Sequence, residues 1–559
     1  MCLMEILQQV ARAARMAIYQ LRQRRRRVLQ PVPGLQFERD IAVTMRDGVR
    51  LMANVFRPQQ DGRYPVVLSV SPHGKDALPE DYGLFRALGM SVGRIYESDY
   101  AAFEAPDPGF WVPRGYVVVH ANTRGMWNSE GHASWLSQQD AEDYFDLIEW
   151  AASQPWSTGK VGLSGVSYLA MSQWAVAALN PPHLAAIMPW EGVSDMYREL
   201  AFHGGIRETG FVPAFYRQRV LAHHNPRFPL AENLLEQIQR HPLDDEYWAS
   251  KRPDLARINV PALVCASWSD QGLHTRGSLE GFLQISSEHK WLYTHGRRKW
   301  ETFYSSEAQA LQQQFFDYFL KGIEDGMLNV AHVRLEVRRA YYVQTVRAEK
   351  GWPPAGTRVR RLYLDAATCV LQSSPLIQES SVAYVASKAA RDNSRARFVI
   401  RFDRDTELSG GMRLRLWIAA DDANDADLFV GIEKLNSDRT LVGFSGFSGF
   451  VSDDVVAKGW LRLSHRELDE TLSTETRPWH PHRRIQKVRP GEAVAADIEI
   501  LPSSTLFEAG SSLRLVVQGH ELRDYPVFGH SDSVNHGRHR LFTGGQYDSY
   551  LALSVVEPT

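Results

Sequence analysis

The rhythm of apolar and polar positions changes three times along the chain. Ile41, Val43 and Met45 alternate with polar residues, Asp47-Gly48 turns the chain, and Leu51, Ala53 and Val55 alternate back, which predicts an antiparallel hairpin over 37–57. Short continuous apolar runs follow at 65–70, 115–120, 160–163, 184–188, 262–266 and 290–294, the pattern of buried strands. Between them Tyr144, Leu147, Ile148 and Ala151 recur at helical spacing, and helices are expected over 141–154, 171–179 and 305–320. Strands alternating with helices predict a parallel α/β sheet. Residues 193–257 break this order. They are aromatic, rich in His and punctuated by Pro, with a helical stretch at 230–240, and are read as a helical cap inserted over the sheet. From 333 onward short alternating stretches dominate, at 334–339, 359–364, 396–402, 412–419, 428–433, 493–501 and 512–518. Turn clusters such as Ser409-Gly410-Gly411 and Arg489-Pro490-Gly491 separate them. That texture predicts an all-β sandwich, taken as a jelly roll. The expected organisation is a tail at 1–34, a sheet domain at 35–192 and 258–332, a cap at 193–257 and a sandwich at 333–559.

A chain of 559 residues is too long for one core, which agrees with this division. Lys and Arg number 63 against 65 Asp and Glu, a balance that excludes a protein built chiefly to grip nucleic acid. Cys2, Cys265 and Cys369 lie far apart, so neither a disulfide framework nor a Cys/His metal spacing follows, and a cytoplasmic setting is the default. No metal or cofactor is expected.

The first thirty residues stand apart. Leu3, Leu7, Val10, Ala14, Ala17 and Leu21 keep helical spacing beside Arg12, Arg15, Arg22 and the run Arg24-Arg25-Arg26-Arg27. They contain no apolar run able to span a bilayer and no secretory-signal order. One reading is an amphipathic helix on an anionic membrane surface. The favoured one is a helix packed on this chain or on a second copy in a homo-oligomer.

The most informative stretch is Gly165-Val166-Ser167-Tyr168-Leu169-Ala170, between the apolar run 160–163 and a helix. A serine on a tight strand-to-helix turn is the arrangement of an exposed nucleophile, with the helix N-terminus aimed at the reacting centre. Ser164 also has a glycine two before it, but falls at the strand end, whereas Ser167 falls where the helical pattern is about to start, so Ser167 is preferred. Such a serine needs a base and an acid to orient it. Asp270, in Trp268-Ser269-Asp270-Gln271-Gly272, ends one strand, and His295, in Thr294-His295-Gly296, ends the next. His289 precedes its strand and is expected to point the other way. His274 is set aside as too near Asp270 in sequence to sit across from it. The backbone N–H of Tyr168 and the loop Ser71-Pro72-His73-Gly74 are candidate donors to a reacting oxygen. Trp190 and Trp268, aromatic residues at or just past strand ends, are the candidate substrate-binding residues.

Linked stretches carry a family resemblance. They include Met45-Arg46-Asp47-Gly48-Val49-Arg50-Leu51, Ser71-Pro72-His73-Gly74-Lys75-Asp76 and Arg114-Gly115-Tyr116-Val117-Val118-Val119. Further on are Arg124-Gly125 with Ser129-Glu130-Gly131, Gln154-Pro155-Trp156-Ser157-Thr158-Gly159-Lys160-Val161-Gly162 and Gly165-Val166-Ser167-Tyr168. In the last third come Leu408-Ser409-Gly410, Asp425-Ala426-Asp427-Leu428 and Gly459-Trp460-Leu461-Arg462-Leu463-Ser464. From about residue 35 to its end the chain resembles the CocE/NonD type of α/β-hydrolases, the group of cocaine esterase and X-Pro dipeptidyl-peptidase. The resemblance implies an α/β-hydrolase sheet with an inserted helical cap and a C-terminal sandwich. It makes Ser167 the nucleophile, Asp270 the acid and the Tyr168 N–H one oxyanion donor. Two positions depart from the pattern: His73 stands where the family places an oxyanion tyrosine, and His295 lies about three positions before the family histidine.

The leading expectation is a serine hydrolase cleaving an ester or acyl bond through an acyl-enzyme on Ser167. An X-Pro dipeptidyl-peptidase is the alternative, and would hold the substrate amine on carboxylates such as Glu191, Asp195, Glu199 or Glu208. An acyltransferase on the same residues and a decayed binding protein are the others. The expected substrate is a small ester, an amide or a short peptide.

Overall fold

The computed structural model describes residues 29–76, 82–87, 90, 92–525 and 528–557. The segment expected to form a basic amphipathic helix, and with it the membrane or subunit contact proposed for residues 1–30, falls almost wholly outside them. Among the described residues no helix is long and apolar enough to cross a membrane.

The hairpin predicted from alternation forms as β1 (Leu35–Thr44) and β2 (Arg50–Pro58), with Gly48 at φ +86° in its turn. The apolar runs become β3 (Tyr64–Ser71), β4 (Val117–Asn122), β5 (Ser157–Val166), β6 (Leu184–Trp190), β7 (Ala262–Ser267) and β8 (Lys290–His295). They pair in the spatial order β1-β2-β4-β3-β5-β6-β7-β8, parallel from β4 onward. Helices α1 (Gln138–Ser153), α2 (Tyr168–Ala177), α3 (Thr275–Gln284) and α4 (Ser306–Phe316) cover the sheet. Ser137 starts α1 with a reciprocal capping box on Asp140. The strands are buried on both faces, so Val66, Leu68, Val119, Leu163 and Val264 form one core with Trp174 of α2.

Strand pairing continues across the expected boundary at 333. Strand β9 (Val333–Ala340) pairs parallel to β8, through Leu292↔Val333 and Tyr293↔Arg334, and β10 (Val343–Glu349) closes that edge as an antiparallel partner. The first alternating stretch assigned to the sandwich therefore extends the α/β sheet. Alternation marks a strand with unlike faces but not the sheet it joins. The remaining strands make a mostly antiparallel β domain. Thr406–Ala420 pairs with Val494–Phe507, Arg538–Thr543 and Tyr550–Val556. Asp427–Leu435 pairs with Ala457–Arg462 and Ser512–Gln518. Leu414, Leu416, Phe398, Val430 and Leu515 fill the space between. A small hairpin of this domain, Phe444–Gly446 with Val451–Asp454, turns at 447–450 against the α/β domain. The insertion at 193–257 is helical in short pieces, including Tyr197–Ala201, Phe211–Tyr216 and Leu234–Arg240, and lies above the carboxyl ends of the strands.

Candidate active site

Ser167 occupies the turn between β5 and α2 with φ 59° and ψ −116°, a backbone conformation that costs a non-glycine residue on the order of 1–3 kcal/mol. The surroundings enforce it. Its N–H donates to the Trp190 carbonyl at 3.1 Å, and its carbonyl accepts from the N–H groups of Ala170 and Met171, both at 2.9 Å. A Cβ at Gly165 would lie 2.5 Å from that of Leu169, so only glycine lets the turn close. Ser164 is fully buried inside β5 and takes no part.

The partner of Ser167 is His274. Its Nε2 lies 3.1 Å from Ser167 Oγ, and its Nδ1–H donates to Asp270 Oδ2. Asp270 and His274 are four residues apart on one tight turn leading into α3. The Asp270 carbonyl accepts from the N–H groups of Leu273 and His274 at 3.1 Å and of Thr275 at 3.4 Å, which winds the chain so that both side chains leave on one side. Two further groups fasten the carboxylate. Ser448 Oγ, from the β domain, donates to Oδ1 at 2.6 Å, and Lys299 Nζ lies 2.9 Å from Oδ2. Lys299 Nζ is also 3.0 Å from His274 Nδ1, because ammonium and imidazole share one acceptor oxygen. Burial alone would raise the Asp270 carboxyl; the Lys299 ammonium and His274 overcome it and hold it well below the ordinary carboxylate range. Burial and then Lys299 pull His274 below the ordinary imidazole value, against Asp270. A neutral imidazole with its proton on Nδ1 offers the Nε2 lone pair to the hydroxyl.

His295 is corrected as the base. It is still in strand, paired with Ser267, so the pleat fixes its direction and turns the ring into the interior. Its Nε2–H donates to Glu191 Oε1 at 3.0 Å, its Nδ1 accepts the Arg297 N–H at 3.2 Å, and the side chain is fully buried. Trp190 and Trp268 are corrected as substrate-binding residues too. Trp190 is wholly enclosed against Tyr293 and Phe303, with ring centroids at 5.1 and 5.4 Å. Trp268 is buried on Trp352 and donates its indole N–H to the Glu336 carbonyl at 2.9 Å.

The space that Ser167 and His274 do face is an apolar cleft of about 510 Å³, its open mouth included. The cap supplies most of its wall, with Leu200, Phe211, Phe215, Leu234 and Trp248 among the lining side chains, and Trp135 and Met171 complete it. Among the described residues no carboxylate lines it. Each acid considered for an amine is occupied elsewhere. Asp195 accepts from Arg198 and Arg252, both at 2.8 Å, and Glu199 accepts from Arg276 at 2.9 Å and from the Ser194 N–H at 2.8 Å. Glu208 accepts the N–H groups of Gly210, Phe211 and Val212 at 2.7 to 2.8 Å, and Glu191 holds His295.

Two oxyanion donors are expected, the Tyr168 N–H and the His73 ring. Tyr168 is the first residue of α2, so its N–H has no carbonyl within the helix to meet. The ring of His73 stands edge-on to Tyr168, with centroids 6.0 Å apart, and both its nitrogens are buried without a hydrogen-bond partner. Burial, reinforced by Arg219 and His223, holds His73 well below the ordinary imidazole value, so the ring is neutral and carries one N–H. Among the described residues, Glu191, Cys265 and His295 bring three potential metal-ligand atoms within 4.8 Å of one another. The Arg297 N–H on His295 Nδ1 leaves the ring proton on Nε2, facing Glu191, so hydrogen bonding already joins that pair.

Comparison with known proteins finds hydrolase relatives. Residues 47–300 match the X-Pro dipeptidyl-peptidase (S15) family, and residues 329–552 match the X-Pro dipeptidyl-peptidase C-terminal non-catalytic domain. A solved CocE/NonD family hydrolase from Staphylococcus aureus is 43% identical, superposes with a TM-score of 0.89 and shares 94% of each chain. Cocaine esterase of a Rhodococcus species is 28% identical over 58% of this chain and 62% of its own length. A putative Xaa-Pro dipeptidyl-peptidase of Bacillus anthracis is 22% identical over 86% of this chain and 82% of its own.

Proposed function

Because the chain belongs to the CocE/NonD family and is a serine hydrolase, we propose that it hydrolyses esters of apolar acyl groups through an acyl-enzyme on Ser167. His274 takes the Ser167 proton on Nε2 as Oγ bonds to the substrate carbonyl carbon. The Tyr168 N–H and the His73 ring N–H hold the oxygen that becomes negative. His274 returns the proton to the departing alcohol as the ester C–O bond breaks. A water then gives its proton to His274 and attacks the acyl carbon, and Ser167 leaves with that proton. Asp270 fixes the imidazole tautomer throughout.

The observation that carries this reading is the 3.1 Å approach of His274 Nε2 to Ser167 Oγ at the floor of the cleft. The choice of ester over dipeptide rests on the cleft wall. A dipeptidyl-peptidase must hold a free ammonium, and an unpaired cation in an apolar pocket is strongly unfavourable. The test compares nitrophenyl esters with an Ala-Pro anilide and labels the protein with a fluorophosphonate. Ester turnover with labelling lost in Ser167→Ala is expected. Faster turnover of the anilide, or labelling that survives Ser167→Ala, overturns the reading.

A further inference from the structure

Asp270 sits in a cluster with more acid than it can ionise. Asp270, Glu191 and Glu104 come from three separate segments and are all buried. Glu191 follows β6 with φ 52°, a strained position for a residue with a side chain. Its Oε1 accepts from His295, while Oε2 is enclosed and meets no donor among the described residues, and the carboxyl is within hydrogen-bonding reach of Asp270. Glu104 has the same asymmetry: Oε1 accepts the Trp300 indole N–H at 2.8 Å, and Oε2 has no hydrogen bond and lies 3.7 Å from His73 Nε2. The basic groups acting on the cluster are Lys299 and His274, with Arg219 on Glu104. Lys299 is itself buried, at the start of the short helix Lys299–Phe303, and its nitrogen touches Asp270.

Carboxylates confined together cannot all be charged, and a buried ion is tolerated only where it is paired. The ammonium is in contact with one acid of the three. We infer that Lys299 is a positioning residue that assigns the negative charge of this cluster to Asp270 rather than to Glu191 or Glu104, and so keeps the acid behind His274 in the form that orients the imidazole. The inference rests on the Ser167–His274–Asp270 reading above. Burial, only partly offset by Lys299, pushes Glu191 and Glu104 up to about 8 and about 7, so below those values each is mostly a neutral acid. The contact has a second consequence. An ammonium 3.0 Å from His274 Nδ1 opposes the imidazolium, so His274 stays free to accept a proton at lower pH than an ordinary histidine.

The experiment measures kcat/KM for a nitrophenyl ester from pH 4 to 9 in the parent, Lys299→Met, Glu191→Gln and the double variant. Lys299→Met is expected to lose about 100-fold or more, since the orienting acid now shares its charge, and its acid limb moves to higher pH. Glu191→Gln alone stays close to the parent, because the amide reproduces a neutral acid. The double variant regains about tenfold over Lys299→Met, a coupling that loss of packing at residue 299 would not produce. A double variant no better than Lys299→Met, or an acid limb that does not move, overturns the inference. Should Lys299→Met fail to fold, Lys299→Gln takes its place with the same loss, limb shift and rescue by Glu191→Gln expected, and an acid limb that does not move overturns the inference. If a fluorophosphonate does not label Ser167 at all, the underlying reading fails. Normal labelling with an unmoved profile removes the role of Lys299 alone.

Discussion

Ser167 Oγ and His274 Nε2 stand 3.1 Å apart although 107 residues separate them in the chain, and His274 rather than His295 completes the hydrogen-bonded line to Asp270. The two histidines therefore separate in their effects. His274→Asn is expected to lower ester kcat by about a thousandfold or more, whatever it does to the melting temperature. His295→Gln keeps turnover near that of the parent and lowers the melting temperature, because it disturbs a buried pair with Glu191. Steady-state kinetics beside thermal unfolding of both variants checks this. Loss of activity on the His295 change with retention on the His274 change would reverse the assignment.

The cleft sets acyl-chain preference. Met171 lies on α2, four residues past Ser167, and its side chain lines the apolar space with Phe211, Leu234 and Trp248. Its replacement by tryptophan fills that space from the floor. Turnover of a nitrophenyl octanoate is expected to fall by about tenfold or more relative to the acetate, since each methylene excluded from such a pocket forfeits on the order of 1 kcal/mol. Equal losses on acetate and octanoate would place the acyl group elsewhere.

Much of this site was written locally. Ser167 is legible because an apolar strand, two small residues and a helical pattern meet around it, and Asp270 because it follows a buried strand. The proposed base was not legible by the same logic. A histidine four residues from its acid is an ordinary helical neighbour, and the i, i+4 spacing of Asp270 and His274 was the signal available. Searching a separate strand end led instead to His295, whose direction is set by pairing with Ser267, information that lies in the sheet register. The same holds for β9, whose alternation is plain but whose partner β8 is fixed by tertiary packing. Trp190 and Trp268 were correctly read as lying at strand ends. What lay across from them, Tyr293 and Trp352, no local pattern reveals.

Buried titratable groups bound the stability range from both sides. Burial lowers His203 and His295 to about 3, and His120, His465 and His539 to about 4. As pH falls below about 6.5 the unfolded chain takes up protons that these folded residues refuse, so stability falls toward pH 3–4. Burial raises Glu104 and Glu199 to about 7 and Glu191 to about 8. These stay protonated in the fold while the unfolded chain ionises above about 4.5, so their contribution declines as pH rises toward 8. Between pH 6.5 and 8 the glutamates act without the histidines, and the melting temperature is expected to decline there. Glu191→Gln removes part of that decline, at most about 1.4 kcal/mol per pH unit. Scanning calorimetry of both proteins at pH 6.5, 7.25 and 8 checks it, and identical slopes would refute the role given to Glu191.

Ser448 brings a hydroxyl of the β domain to Asp270. Ser448 stands at the turn of the hairpin Phe444–Gly446 and Val451–Asp454 with φ 57°. The turn is held in place by its N–H on the Ser269 carbonyl at 2.9 Å and by the Lys299 N–H on its own carbonyl at 3.3 Å. From there Oγ donates to the Asp270 oxygen that faces away from His274. A hydrogen bond to a charged group contributes about 1.5–3 kcal/mol, and without it the carboxylate is free to rotate about its Cβ–Cγ bond. Ser448→Ala is therefore expected to lower kcat by about tenfold or more with KM little changed, because the apolar cleft is untouched. Ser448→Thr, which keeps the hydroxyl, restores most of the loss. Equal activity in Ser448→Ala and the parent, measured on the same ester at saturating substrate, would leave the β domain a purely structural part.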